Sequence, residues 1–391
     1  MRNDLFPLLA LPLAIVSLLT IVRAPDWMWA WKLAIVSGEF GHWLVLVALG
    51  LALLAGYLTT GSTRLITLAL CALACICWLR PVGSVQRIAS ELPAAMTAAF
   101  GGEAPSARVF DLRRLYGRSA IPPFAVRTEI FAQPDGQALK LDYYAPVRAA
   151  VEKFPDPGPW RGALCIVVIH GGGWDEGDRT QLAGWNNRWA ARGYAVAAIS
   201  YRLAPHYIWP AQKDDVQAAI AWLKAHAAEL GIDPSRLVLL GRSAGGQLAT
   251  AVGYGAHDPS IRGVIALYAP HDMAFVWSVS REDDALNSTK LMRQYLGGPP
   301  EGERRNLYAS ASGQLLAKAG SPPTLLVHGA LDTLSWDRHS ERLAARLEEL
   351  HVPHYYLRLP WGTHGFDFNP DGPGGQLVDY AIGRFLTAVT H

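Results

Sequence analysis

The sequence predicts an α/β domain built on a mostly parallel sheet, preceded by an all-α membrane region. Two patterns carry that reading. From residue 163 onward, short apolar runs ending in glycine alternate with amphipathic stretches, the rhythm of strands buried on both faces between helices. The first 80 residues instead hold three long apolar runs, Leu5 to Val22, Trp43 to Leu58 and Leu65 to Leu79. Composition agrees: 51% of the 391 residues are hydrophobic and only 17% charged, which is apolar for a soluble protein. The net charge of +2, with no basic stripe carrying interleaved aromatics, excludes a nucleic-acid partner.

Residues 1–80 read as about three transmembrane helices, a multi-pass membrane region. A spanning helix needs about 20 residues, so the second and third runs must recruit flanks such as Phe40-Gly41-His42 and Pro81-Val82. A cleavable signal has one apolar stretch, not three. Trp27, Trp29 and Trp31 with Lys32 read as an interfacial aromatic segment. Arg2 and Arg64 fall on one face, and Arg23, Lys32, Arg80 and Arg87 on the other. That bias favours a cytoplasmic α/β domain, although a fourth span through Leu33 to Val36 would reverse it. Cys71, Cys75 and Cys77 lie in the third run without histidine or carboxylate partners and read as small apolar residues rather than metal ligands. Cys165 stands alone downstream, so no disulfide forms there.

Residues 81–125 read as a linker or as interfacial or cap helices. Ile88, Leu92, Met96 and Phe100 recur at four-residue spacing, which suits a helix lying on the membrane or over the active site. Pro122-Pro123 ends the stretch. Residues 126–391 read as the catalytic domain. Arg127 to Gln133 and Ala138 to Tyr144 form a hairpin around Pro134-Asp135-Gly136, the antiparallel edge of the sheet. Strands follow at Ala163 to Ile169, Tyr194 to Ser200, Arg236 to Leu240, Gly263 to Tyr268, Thr324 to Gly329 and His354 to Leu359. Asp214 and Asp215 favour the N-terminus of an amphipathic helix through Val216, Ile220 and Leu223. Residues 271–320, with Trp277, Tyr295 and Tyr308, break the rhythm and read as a cap insert.

Two strings carry chemistry. Gly241-Arg242-Ser243-Ala244-Gly245 is a G-x-S-x-G between a buried strand and a helix, the context that holds a serine hydroxyl clear of the backbone. His170-Gly171-Gly172-Gly173-Trp174 follows the strand Ala163 to Ile169, and its glycines expose backbone N–H groups at a strand's carboxyl end, where parallel sheets bind ligands. Acyl transfer needs both an exposed nucleophile and donors for the oxyanion. A serine also needs an oriented base. Asp332 follows the strand ending at Gly329, and His364 follows the next strand. Adjacent strand-end loops bring such residues together. Asp337 is the rival acid and reads as a helix flank. His351 and His354 are rival bases. His170 reads as shaping its loop, His328 as a structural histidine.

These strings, together with Ser200-Tyr201-Arg202-Leu203-Ala204-Pro205, Trp209-Pro210-Ala211 and His328-Gly329-Ala330-Leu331-Asp332, resemble α/β-hydrolase-fold esterases of the hormone-sensitive-lipase type and the related feruloyl- and acetyl-esterase-like group. The resemblance spans about Val126 to His391 and leaves the first 120 residues uncovered. It implies the α/β-hydrolase fold, with Ser243 as nucleophile, Asp332 as acid, His364 as base and an oxyanion hole from the N–H groups of Gly172, Gly173 and Ala244.

The expected function is a membrane-anchored serine hydrolase that cleaves a carboxylic ester through an acyl-enzyme, with no metal or organic cofactor. The partner is a small-molecule ester, lipophilic or membrane-associated. Trp174 and Trp209 are expected to bind it, with Trp185, Trp189 and Trp277 nearby. An acyltransferase or amidase would share the triad, and a catalytically dead ligand-binding receptor would share the fold. Nothing in the sequence indicates acyl chain length, alcohol or oligomeric state.

Overall fold

A computed structural model describes residues 5–102, 107–117, 124–147 and 162–390. Arg2 and Pro122-Pro123 lie outside the described residues. Eight strands form one sheet: β1 Val126–Ala132, β2 Leu139–Tyr144, β3 Ala163–Ile169, β4 Ala195–Ile199, β5 Ile232–Arg242, β6 Ile261–Leu267, β7 Thr324–Gly329 and β8 His354–Leu359. Their order is β1-β2-β4-β3-β5-β6-β7-β8. The β1–β2 and β2–β4 pairs are antiparallel, and the others are parallel. Every residue of β3 and β7 is buried, because helices cover both faces.

The two-residue strand period sorts β3 between two cores. Cys165, Val167 and Ile169 join Val216, Leu248 and Leu343, from the helices Ala211–Ala225, Ala244–Gly255 and Arg338–Glu349. Leu164, Ile166 and Val168 face the opposite way, against Trp185, Trp189, Leu377 and Phe385. Those come from the helices Ala183–Ala191 and Pro373–Thr390. Residues 271–320 form short helices, Met273–Val279, Ser288–Leu296, Arg304–Ser310 and Gly313–Leu316.

Among the described residues four longer helices precede the sheet, α1 Leu5–Ser17, α2 Met28–Glu39, α3 Gly41–Leu58 and α4 Gly61–Phe100, followed by the five-residue helix Leu112–Tyr116. Only α3 and α4 among the described residues are long and apolar enough to cross a membrane by length and composition; Leu5–Thr20 is shorter. The three expected spans therefore reduce to two such helices. Ala10, Ala48 and Ala74 pack α1, α3 and α4 together, since small residues let helix backbones approach closely. Outward-facing Leu46, Leu53, Leu65 and Ile76 stay exposed.

The 40-residue α4 runs through the boundary expected at residue 80. Pro81 lies inside it and cannot donate to the carbonyl four residues back. Thr20 Oγ1 donates to that Cys77 carbonyl at 3.0 Å instead. The amphipathic half of α4 does not lie on a membrane surface or over the active site. Leu92 and Met96 are fully buried in the core on the sheet's second face, and Phe100 stacks edge-on against Phe385 at 4.9 Å.

Nor is Trp27 to Lys32 simply an interfacial segment. Trp27 and Trp29 are exposed and stacked 5.4 Å apart, but α2 docks on the sheet domain. That docking removes the alternative of a span through Leu33 to Val36. Glu39 closes the junction. Its Oε2 accepts from Gly374 N at 2.9 Å and its Oε1 from Trp361 Nε1 at 3.2 Å, while Asn369 Nδ2 donates to its carbonyl at 3.0 Å. Burial pushes its carboxyl up to about 8, against those hydrogen bonds. A raised value means stability is present below the usual carboxylate range and is lost as pH rises through about 8. The melting temperature of the full chain is therefore expected to fall between pH 6 and pH 9, and Glu39→Gln is expected to flatten that slope. An equal slope in the variant would show that Glu39 does not titrate in the junction.

Candidate active site

Ser243 sits between β5 and the helix Ala244–Gly255 with φ 52° and ψ −119°. Such a conformation costs a non-glycine residue on the order of 1–3 kcal/mol and persists only where its surroundings enforce it. A Cβ at Gly241 would collide with the Gly245 carbonyl, and one at Gly245 with the carbonyls of Ile169 and His170. The two motif glycines thus let β5, its helix and the end of β3 touch backbone to backbone. Ser243 N donates to Leu267 O at 2.9 Å, tying the turn to β6. Ala244 opens the helix, so its N–H has no intrahelical acceptor.

Gly172 adopts φ 120° in the loop after β3, and a Cβ there would strike the Glu176 carbonyl. Asp175 N and Glu176 N both donate to Gly172 O, and Gly171 N donates to Gln181 Oε1 at 2.8 Å. His170 serves this loop. Its Nδ1–H donates to Gly171 O at 2.8 Å and its ring stacks on Tyr201 at 4.1 Å. Burial pushes it down to about 4, so it is neutral at neutral pH.

Asp332 is fully buried just past β7. Its Oδ1 accepts from Leu334 N and Ser335 N, each at 2.8 Å. Its Oδ2 accepts from His364 Nδ1 at 2.8 Å and lies 3.3 Å from His328 Nε2. Burial alone would raise this carboxyl, but the two imidazoles and their hydrogen bonds hold it well below the usual range. Asp337 stands elsewhere, paired with Arg23 at 3.0 Å and with Arg358 at 2.8 Å, at the start of the helix Arg338–Glu349. His351 and His354 lie at the amino end of β8, opposite the end that carries His364. His328 bonds Ser335 O and Ser340 Oγ, each at 2.8 Å. Asp215, rather than merely flanking its helix, is buried against Arg202 at 2.8 Å.

Gly172, Gly173, Trp174, Ser243, Ala244 and His364 line one cavity of about 1030 Å³, mostly apolar, at the upper end of the usual range for small-molecule sites. Trp174 stacks on Tyr295 at 4.3 Å and donates through Nε1 to Gln247 Oε1 at 2.9 Å. Trp209 is not on the wall. It is 1% exposed, bonded to Ser310 Oγ at 2.9 Å and packed edge-on against Tyr295. Trp185 and Trp189 are core residues, and Trp277 also lies off the lining; the tryptophans on it besides Trp174 are Trp31 and Trp336.

Two parts of the site escaped sequence reasoning. Arg242, beside the serine, donates through Nε to Asp367 Oδ2 at 2.6 Å, and Tyr268 OH donates to Asp367 Oδ1 at 2.7 Å. This buried network ties the serine turn to the loop of His364, whose ring lies 4.5 Å from Tyr268. An arginine inside a buried G-x-S-x-G demands a carboxylate partner, and that was the available signal. The second part is Trp31, whose Nε1 donates to His364 O at 2.9 Å.

Residues 160–347 match the BD-FAE family. Esterase LipC of Mycobacterium tuberculosis is 28% identical over 246 residues, covering 59% of this chain and 60% of LipC. The probable carboxylic ester hydrolase LipM of the same organism is 25% identical over 381 residues, covering 93% of this chain and 87% of LipM. Among solved structures, the native Est2 esterase of Thermogutta terrifontis superposes with a TM-score of 0.52 at 23% identity, over 67% of this chain and 90% of that one. A truncated carbohydrate esterase from gut microbiota gives 0.53 at 20% identity, over 69% and 98%. The chain has the α/β-hydrolase fold, and its relatives are carboxylic ester hydrolases.

The two candidate acids separate by substitution. Asp332→Asn is expected to lower kcat by up to about 10⁴, because the wrong imidazole tautomer is then held. Asp337→Asn is expected to lower the melting temperature through unpaired Arg23 and Arg358, with kcat changed by about threefold or less. Steady-state kinetics beside thermal melts would show the reverse ranking if Asp337 were the acid.

Proposed function

We propose that this protein is a membrane-associated serine hydrolase that cleaves a lipophilic carboxylic ester through an acyl-enzyme. The observation that carries the reading is the Asp332–His364 hydrogen bond of 2.8 Å, made by a histidine that shares its cavity with Ser243 and with the glycine loop after β3.

In this reading Ser243 Oγ attacks the ester carbonyl carbon while His364 Nε2 takes its proton. Asp332 holds Nδ1–H and balances the imidazolium charge. The N–H groups of Gly172, Gly173 and Ala244 donate to the oxyanion, each contributing on the order of 3 kcal/mol to the transition state. Collapse breaks the bond to the alcohol oxygen, which takes the proton from His364. Water, deprotonated by His364, then attacks the acyl-enzyme carbonyl and releases the carboxylic acid and free Ser243. His170 is unsuited to be the base, because burial disfavours the imidazolium it would become on taking a proton and its Nδ1–H is committed to the loop.

The relatives named as esterases support the ester class. The Thermogutta terrifontis esterase is also solved phosphonylated by sarin, at a TM-score of 0.53 to this chain. Membrane association is supported by α3 and α4. The LipM match reaches them as well, since it leaves at most 7% of this chain unmatched. Docking of α2 on the catalytic domain puts Arg23 and Lys32 on the side of the catalytic domain, with Arg80 and Arg87, which favours the cytoplasmic face.

Ser243→Ala tests the chemistry. The wild-type chain is expected to label with a fluorophosphonate, and the variant is expected to lose labelling and about 10⁶ in kcat while keeping its melting temperature. Substantial labelling of the variant would overturn the assignment, and an unlabelled wild type would favour a dead receptor.

A further inference from the structure

The catalytic domain alone does not close the cavity around Ser243. A full side of it comes from the segment between Arg23 and Phe40. That segment differs from the apolar runs on either side. Arg23, Asp26, Lys32 and Glu39 interrupt it, and α2 has only 12 residues, about 18 Å at 1.5 Å per residue and short of a bilayer. Polar contacts hold it in place along its whole length. Arg23 Nη2 donates to Asp337 and to Ala330 O. Arg281, from residues 271–320, pairs with Asp26 at 3.0 Å. Trp31 bonds the main chain of His364, and Glu39 caps the helix Pro373–Thr390.

Besides Trp31 and the small Ala24, the segment offers Met28, Ile35, Val36 and Phe40 to the cavity as apolar side chains. Facing residues include Val276, Val279 and Leu291. Some of the apolar lining is open to solvent: Met28 and Trp336 are each 37% exposed, and Phe368 is 60% exposed. Trp27 and Trp29 stack in the open next to Met28. At its other end the wall runs through Phe40 directly into α3, whose outward Leu46, Leu49 and Leu53 are exposed. The cavity that holds Ser243 thus adjoins a surface suited to lipid.

We infer that Met28, Ile35, Val36 and Phe40 form the acyl-chain wall of the active site, so that the segment preceding α3 sets which ester is cleaved and receives long-chain esters from the bilayer. This rests on the ester-hydrolase reading above. An apolar wall favours longer chains because each methylene it buries raises kcat/KM by about fourfold. A segment that only tethered the enzyme would contribute nothing to chain-length preference. Val36 is the most informative position, since it lines the cavity yet remains 39% exposed and makes none of the docking contacts.

The experiment uses the full chain in nanodiscs with p-nitrophenyl acetate and p-nitrophenyl decanoate, read as the decanoate-to-acetate ratio of kcat/KM. Val36→Trp, which fills the cavity, is expected to lower the ratio by about tenfold or more. Val36→Ala, which introduces no clash, is expected to lower it by about threefold. Leu46→Trp, on the outer face of α3, is expected to leave it unchanged, and fluorophosphonate labelling reports that each variant is folded. A ratio within about twofold of wild type in both Val36 variants, with turnover intact, overturns the wall. Wild-type turnover of neither ester overturns the ester-hydrolase reading itself.

Discussion

The backbone at Ser243 takes a positive φ of 52°, which a residue with a side chain holds only when packing on every side enforces it. The sheet supplies that enforcement. β5 lies between β3 and β6, its residues from Leu237 to Arg242 are buried, and its last turn is pinned to Leu267. Gly241 and Gly245 allow the contact, and the end of β3 presses against it. Because β3 also delivers the glycine loop, one backbone contact positions both Ser243 and that loop at the same cavity. The parallel register of β3 and β5, pairing Ile169 with Gly241, aligns the two loops.

Charge in this site is buried and compensated, and the compensation is what joins its loops. Asp332 is held ionised by two imidazoles and two backbone N–H groups. Arg242 and Asp367 form a pair with side chains 2% and 0% exposed, so neither is stable without the other. Since Arg242 precedes Ser243 and Asp367 follows His364 by three residues, the pair ties the two loops together. Glu39 is the exception that makes the rule visible. Among the described residues no cation pairs with it, and its carboxyl is pushed up to about 8, so near neutrality it is largely an uncharged hydrogen-bonding group.

The amino-terminal region reads in sequence as an anchor and in structure as a component of the enzyme. α4 leaves the apolar bundle and becomes one of the helices covering the sheet. α2 lines the cavity, and its Trp31 supports the loop of His364. The apolar bundle and the sheet domain keep separate cores that the single helix α4 joins, and α2 touches the His364 main chain directly.

The sequence by itself determined the sheet, the elbow and the identity of the triad candidates, for a physical reason. Strands buried on both faces are written as continuous apolar runs. A strained turn is written as glycines at fixed spacing, and loops at successive strand ends carry Asp332 and His364. All of these signals are local. Tertiary structure alone decided the rest. Whether Trp209 or Trp31 meets the cavity depends on which side of a packed loop each indole falls, and both are tryptophans in aromatic surroundings. Whether Leu92 and Met96 face lipid or protein depends on what covers them, because a four-residue apolar spacing is the same in either solvent. The pairing of Arg242 with Asp367 spans 125 residues, a separation over which no local pattern signals contact.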